Sequence, residues 1–134
     1  MEDCLFCKII KGKIPCEKVY EDSDTIAFLD INPNNKGHTL VTPKKHFENM
    51  EKADDKSLIS AIKTVKKIVK ALKKDFPGVN VRVNEGKIAG QLIFHLHFHV
   101  IPRLDNDNFP HWPHIKYKDN EIKEYAEKIK KNLE

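Results

Sequence analysis

The stretch Phe94-His95-Leu96-His97-Phe98-His99-Val100-Ile101-Pro102 decides how the rest of the chain is read. Its three histidines alternate with apolar residues, and alternation at period two marks a half-buried strand. On such a strand His95, His97 and His99 share one face, while Leu96, Phe98 and Val100 point to the other. Neutral imidazole is a nucleophile, a general base and a metal ligand near neutral pH. The alternative is a solvated strand face with a fortuitous histidine run, which a lone histidine would favour. Three in strict alternation, closely preceded by the loop Ala89-Gly90-Gln91, point to a reactive site instead.

At 134 residues the chain reads as a single domain, with a core from about residue 4 to 103 and a tail and terminal helix over 104–134. No apolar run approaches the length of a membrane span, and the start Met1-Glu2-Asp3-Cys4 is acidic and lacks a signal-peptide core. The expected compartment is the cytoplasm, with the nucleus left open. Three cysteines, an odd number, suit a reduced compartment better than a disulfide scaffold. A net charge of +4 invites a nucleic-acid partner, but Arg82 and Arg103 are the only arginines. Lysines such as Lys63, Lys66, Lys67, Lys70, Lys73 and Lys74 recur as on an exposed helix face. Nucleic-acid readers mix arginine and stacking aromatics on one surface, so a solvated basic face is the better account. Neither a membrane nor a nucleic acid is expected as partner.

Cys4-Leu5-Phe6-Cys7 opens the described pattern, followed by a turn at Lys11-Gly12-Lys13. Two cysteines three apart can place both sulfurs on one metal, given two further ligands. A redox Cys-x-x-Cys would want a helix in a βαβ setting. Val19-Tyr20 and Thr25–Leu29 read as strands around an acidic turn, and residues 30–37 as a loop dense in turn residues. Asp30 either caps that loop with its own carboxylate or offers it to sugar hydroxyls. Residues 37–43 read as a further strand closed by Pro43. A long helix begins near Asp54 and Asp55 and ends at Pro77-Gly78, burying Leu58, Ile62, Val65, Ile68 or Val69, Leu72 and Phe76. Residues 79–83 read as a strand, leading into the glycine-flanked loop Asn84 to Gln91. Glycines there let backbone approach a ligand, although two alone more often mark a hairpin connection. After Arg103 a polar loop leads to Trp112 within Pro110-His111-Trp112-Pro113, an aromatic suited to anchoring or covering a surface. Ile122, Tyr125, Ala126, Ile129 and Leu133 define an amphipathic terminal helix.

His95-Leu96-His97-Phe98-His99-Val100-Ile101 resembles the motif of the histidine-triad (HIT) superfamily of nucleotide hydrolases and transferases. Further blocks resemble the family in order: residues 6–10, 27–33, 37–46, and Asn84-Glu85-Gly86 with Ala89-Gly90-Gln91. The resemblance implies an α+β fold, with an antiparallel sheet of about five strands, one long helix and a C-terminal helix, and a homodimer. It implies that His97 attacks the α-phosphorus of a purine nucleotide and that water then hydrolyses the nucleotidyl-histidine. The bond cleaved would be a phosphoramidate or the anhydride of a dinucleoside polyphosphate. His38, His99 and Gln91 match positions around the nucleophile and phosphate. Ile9, Phe28, Asp30 and Ile31 match the base and ribose pocket, and Asn84 and Gly90 match phosphate-side contacts. Cys4, Cys7, His46 and His95 match a structural zinc site found in some members; the alternative is a metal-free quartet that only packs. Cys16 has no assigned partner. Many members carry serine after the glutamine to assist the leaving group, whereas this chain has Leu92. Two other readings stay in view: a nucleotide-binding or interaction module without catalysis, and a hydrolase of adenylated DNA, which normally carries an added zinc finger.

Overall fold

Thr25–Leu29 forms strand β2 because Ile26, Ala27 and Phe28 are all buried, packed from both faces of the sheet rather than one. It lies between β1 (Lys18–Glu21) and β3 (Thr39–Pro43), and β3 continues to β5 (Phe98–Arg103) and then to β4 (Gly78–Arg82). All four pairings are antiparallel, giving a five-stranded sheet in the order β1-β2-β3-β5-β4. This is the expected α+β architecture. The computed structural model describes residues 3–133. No described helix is long and apolar enough to cross a membrane.

Helix α2 (Asp55–Leu72) crosses one face of the sheet. Asp54 caps its start by accepting a hydrogen bond from the Ser57 N–H at 2.7 Å, and that exposed carboxyl titrates at about 2, chiefly because of the same backbone donor. Its buried stripe is Ala61, Thr64, Val65 and Ile68, packed on Ala27, Val41, Leu96, Phe98 and Val100. Two expectations need correction. Ile62 stands half exposed, because the stripe is centred on Ala61 and Val65. The helix also stops at Leu72, well before Pro77, and the chain then turns through Asp75 and Phe76 N–H bonds to the Leu72 carbonyl.

A second apolar cluster on the opposite face joins Phe6, Ile26, Phe28 and Leu40 with Ile9, Ile10 and Cys16. Phe6 and Ile9 arrive on a short N-terminal helix, α1 (Leu5–Ile10), which the sequence pattern did not announce. Its N-cap is Cys4, whose sulfur accepts from the Cys7 N–H. All three cysteines are free thiols. The terminal helix α3 (Glu121–Leu133) forms as expected, but none of its side chains is buried; Ile122, Tyr125, Ile129 and Leu133 stay exposed. Trp112 is also exposed, so it anchors nothing among the described residues.

Candidate functional site

The registers align one rung across four strands. Phe28 on β2 pairs with Leu40 on β3, Leu40 with His99 on β5, and His99 with Arg82 on β4. Side chains directly opposite in a sheet share a face, so this rung passes from an aromatic through an imidazole to a guanidinium. All four line a cavity of about 440 Å³. Its apolar lining includes Leu5, Phe6, Ile9, Ile14 and Phe28, and its polar lining Asn34, His38, Arg82, Asn84, His97 and His99. Asp30, Ile31 and Gly90 complete the expected set along the wall.

The histidines reach this cavity differently from the expected continuous strand. The ladder begins only at Phe98, so His95 and His97 precede it. Residues 95–97 bond elsewhere: the Leu96 N–H donates to the Phe47 carbonyl at 2.7 Å, and the Leu96 carbonyl accepts from the Thr42 hydroxyl. The bend separates the roles of the three rings. His95 turns toward the N-terminal cysteines, while His97 and His99 stay together, 5.0 Å between ring centroids.

Hydrogen-bond partners fix each tautomer. His97 Nδ1 lies 2.6 Å from the His95 carbonyl, an acceptor only, so Nδ1 carries the proton and Nε2 keeps a lone pair. His38 Nδ1 accepts from the Asn34 backbone N–H at 3.0 Å, so its Nε2–H donates to His99 Nδ1 at 2.9 Å. His99 is left with Nε2–H as donor. Burial holds all three rings neutral: it lowers His97 and His38, and with the neighbouring imidazoles and Arg82 it takes His99 down to about 3. The Asp30 carboxylate sits 3.7 Å from His38 Nε2, but a neutral His38 makes this no ion pair. Asp30 caps the loop, its Oδ1 accepting from the Asn32 N–H, while Oδ2 lies 3.7 Å from His38 Nε2.

Gln91 does not line the cavity. Its buried amide accepts from the Gly86 N–H and donates to the Glu48 and Ile93 carbonyls, holding the loop in place. Gly90 adopts φ of 100°, and a Cβ there would come within 3.4 Å of Asn84 Nδ2, which donates to the Gly90 carbonyl. Residues not anticipated also shape the site. Phe6 stands edge-on to the His97 ring at 4.9 Å, Asn34 orients His38, and Arg82 lines the cavity across from His99. No local pattern in the sequence signalled them, since the register that sets Arg82 across from His99 comes from the pairing of β4 with β5. Cys16 proves to be a wall residue.

Cys4, Cys7, His46 and His95 converge behind this site. His95 Nδ1 lies 3.5 Å from each cysteine sulfur and 3.1 Å from His46 Nδ1, and His46 Nδ1 lies 3.4 Å from Cys7 Sγ. Tetrahedral zinc would space sulfur and nitrogen ligands by roughly 3.6 Å and two nitrogens by roughly 3.3 Å. His95 Nε2 donates to the Pro43 carbonyl at 2.8 Å, which leaves Nδ1 bare toward the cluster. Burial pushes the Cys7 thiol up, and a divalent cation is what would draw off its proton. The donor set therefore fits a closed four-ligand site.

Comparison with known proteins places these features in a wider set. The HIT domain matches residues 11–106. The adenosine 5'-monophosphoramidase hnt1 of Schizosaccharomyces pombe is 41% identical over 133 residues, covering 97% of this chain and 98% of its own. A HIT-family protein from Bacillus subtilis is similar in structure, with a TM-score of 0.90 and 40% identity over 98% of both chains. A zinc-bound histidine triad family protein from Mycobacterium smegmatis matches with a TM-score of 0.77 and 34% identity, over 80% of this chain and 79% of that one. With its histidine cluster, sheet order and sequence in agreement over most of its length, the chain belongs to the HIT family.

Proposed function

We propose that the protein hydrolyses a purine nucleoside 5'-phosphate derivative at the α-phosphorus through a nucleotidyl-histidine. The observation that carries this reading is the bond from His97 Nδ1 to the His95 carbonyl, which leaves Nε2 unprotonated beside the cavity. Nε2 attacks phosphorus and the bond to the leaving group breaks; water then attacks, the P–N bond breaks, and nucleoside monophosphate departs. His99 offers its Nε2–H to a phosphoryl oxygen, and His38 holds it in that tautomer. Ile9, Phe28 and Ile31 receive the base, Asp30 accepts from the ribose hydroxyls, and Asn84 and Gly90 face the phosphate side. Gln91 acts by holding the loop that presents Gly90. The names of the fission-yeast relative and of the adenosine 5'-monophosphoramidase of Saccharomyces cerevisiae support the reaction class.

Zinc at Cys4, Cys7, His46 and His95 would tie α1 to the segment carrying the nucleophile. Bound there, it supplies cross-linking and no open coordination position for chemistry. A homodimer is part of the same reading, supported by the unpaired edge of β4 and the exposed apolar face of α3. Phosphorus NMR of wild type and His97→Ala with adenosine phosphoramidate and dinucleoside polyphosphates tests the assignment. Wild type should release nucleoside monophosphate, and the variant should keep its circular dichroism and lose turnover. Turnover retained by His97→Ala would remove the nucleophile assignment.

A further inference from the structure

Arg82 is the least expected residue in the cavity. It is partly buried, and no carboxylate among the described residues pairs with it. Its one hydrogen bond is from Nη2 to the neutral Asn34 Oδ1, at a long 3.3 Å. Its Nε–H is fully buried and has no acceptor. A guanidinium is an always-charged fork of donors suited to flat oxyanions. Arg82 lines the cavity, and a guanidinium there without a carboxylate partner suits an anionic group on the ligand.

Its place in the rung says which part of the ligand. Phe28 lies at one end, His99 two strands on, and Arg82 one strand further from the base end. Adjacent strands are about 4.8 Å apart, so Arg82 stands one strand beyond His99 with a side chain long enough to reach back along the cavity. With the α-phosphorus beside His97 and His99, Arg82 falls beyond it on the side of β4. A second feature agrees. Leu92, exposed at the cavity wall just after Gln91, has no proton to give. An amine leaving group needs a proton as its bond breaks; a phosphate or sulfate leaves as an anion and needs a cation instead.

Building on the reaction proposed above, we infer that Arg82 is a specificity-determining residue that binds an anionic group attached to the α-phosphate, so that the preferred substrates are nucleotides in anhydride linkage to a further phosphate or sulfate. In the first step the lone pair of His97 Nε2 forms the P–N bond. The P–O bond to the departing anion breaks with its electron pair on oxygen, and Arg82 neutralises the charge formed there. In the second step water attacks phosphorus, the P–N pair returns to Nε2, and the water proton passes to solvent. No other reactant is needed.

The test compares kcat/KM for diadenosine tetraphosphate with that for adenosine phosphoramidate in wild type, Arg82→Met and Arg82→Lys. The ratio of the two should fall at least about tenfold in Arg82→Met, the usual scale of a lost charge-assisted contact, and recover in part in Arg82→Lys. A partial folding defect scales both substrates alike and leaves the ratio unmoved. An unchanged ratio therefore overturns the inference, whether both rates fall or neither does. Calorimetry of ADP and AMP binding gives an answer independent of turnover. Wild type should bind ADP more tightly than AMP, and Arg82→Met should lose that preference; equal binding of the two by wild type overturns the inference. Should no substrate be turned over while the ADP preference holds and depends on Arg82, the reaction falls and the anion subsite stands.

Discussion

A histidine that bonds through one nitrogen has the role of its other nitrogen chosen for it, and two rings of this site are settled by backbone groups. The His95 carbonyl leaves His97 Nε2 with a free lone pair; the Asn34 N–H makes His38 a donor and, through it, His99. Because burial lowers His97, its imidazole stays unprotonated below its ordinary range, and the single-turnover rate should hold to lower pH than an unperturbed histidine would allow. A rate tracking an ordinary histidine titration would contradict this. Stability has the same origin. His99 titrates at about 3 when folded and near 6.5 when unfolded, so the unfolded chain binds more protons between those values. Stability from this group is full above pH 6.5 and is lost as pH falls toward 3. Urea midpoints of the metal-free protein should therefore drop from pH 7 to pH 5 to pH 4. His95, His97 and His99 were legible as residue types in alternation. Phe6, Asn34 and Arg82 were not, because each enters the site from a distant element whose register no local pattern encodes.

At the scale of elements, the histidine segment shows where periodicity misleads. Alternation from Phe94 to Pro102 suggested one strand, yet only the part from Phe98 joins the ladder. The earlier part alternates equally well, because Leu96 is buried on the α2 side while His95 and His97 are buried on the other. Period two reports which side a residue faces, and an extended segment bonded to Phe47 and Thr42 satisfies it without pairing to a strand. Leu96 is 1% exposed in the main core, so Leu96→Ala should cost about 2–5 kcal/mol in urea unfolding. A loss below that range would mean the neighbouring side chains collapse into the space. The long helix was legible from its stripe, but its end was not. Leu72 already completes the face that meets the sheet, and the residues after it turn back on its carbonyl. The short helix α1 carried too few residues for any period to be read, and six residues are too few to hold a helix unaided.

Across the whole molecule, the two clusters of imidazoles sit back to back. The thiol–imidazole quartet joins α1, the segment after β3 and the stretch before β5, three pieces far apart in the chain. Chelation of zinc, or Cys4→Ser, should therefore raise hydrogen exchange in residues 5–10 well before it affects β2 and β3, and should lower the melting temperature. Uniform exchange across the sheet and α1 would argue that the quartet contributes nothing separable. The helix α3, with no buried side chain, should exchange fast in either state unless a second copy covers it. Finally, His95 serves one cluster with its ring and the other with its carbonyl. A carbonyl is present whatever side chain a codon specifies. Substitution of His95 therefore removes a ligand from the quartet and still leaves the acceptor that orients His97, provided the backbone path through residue 95 survives.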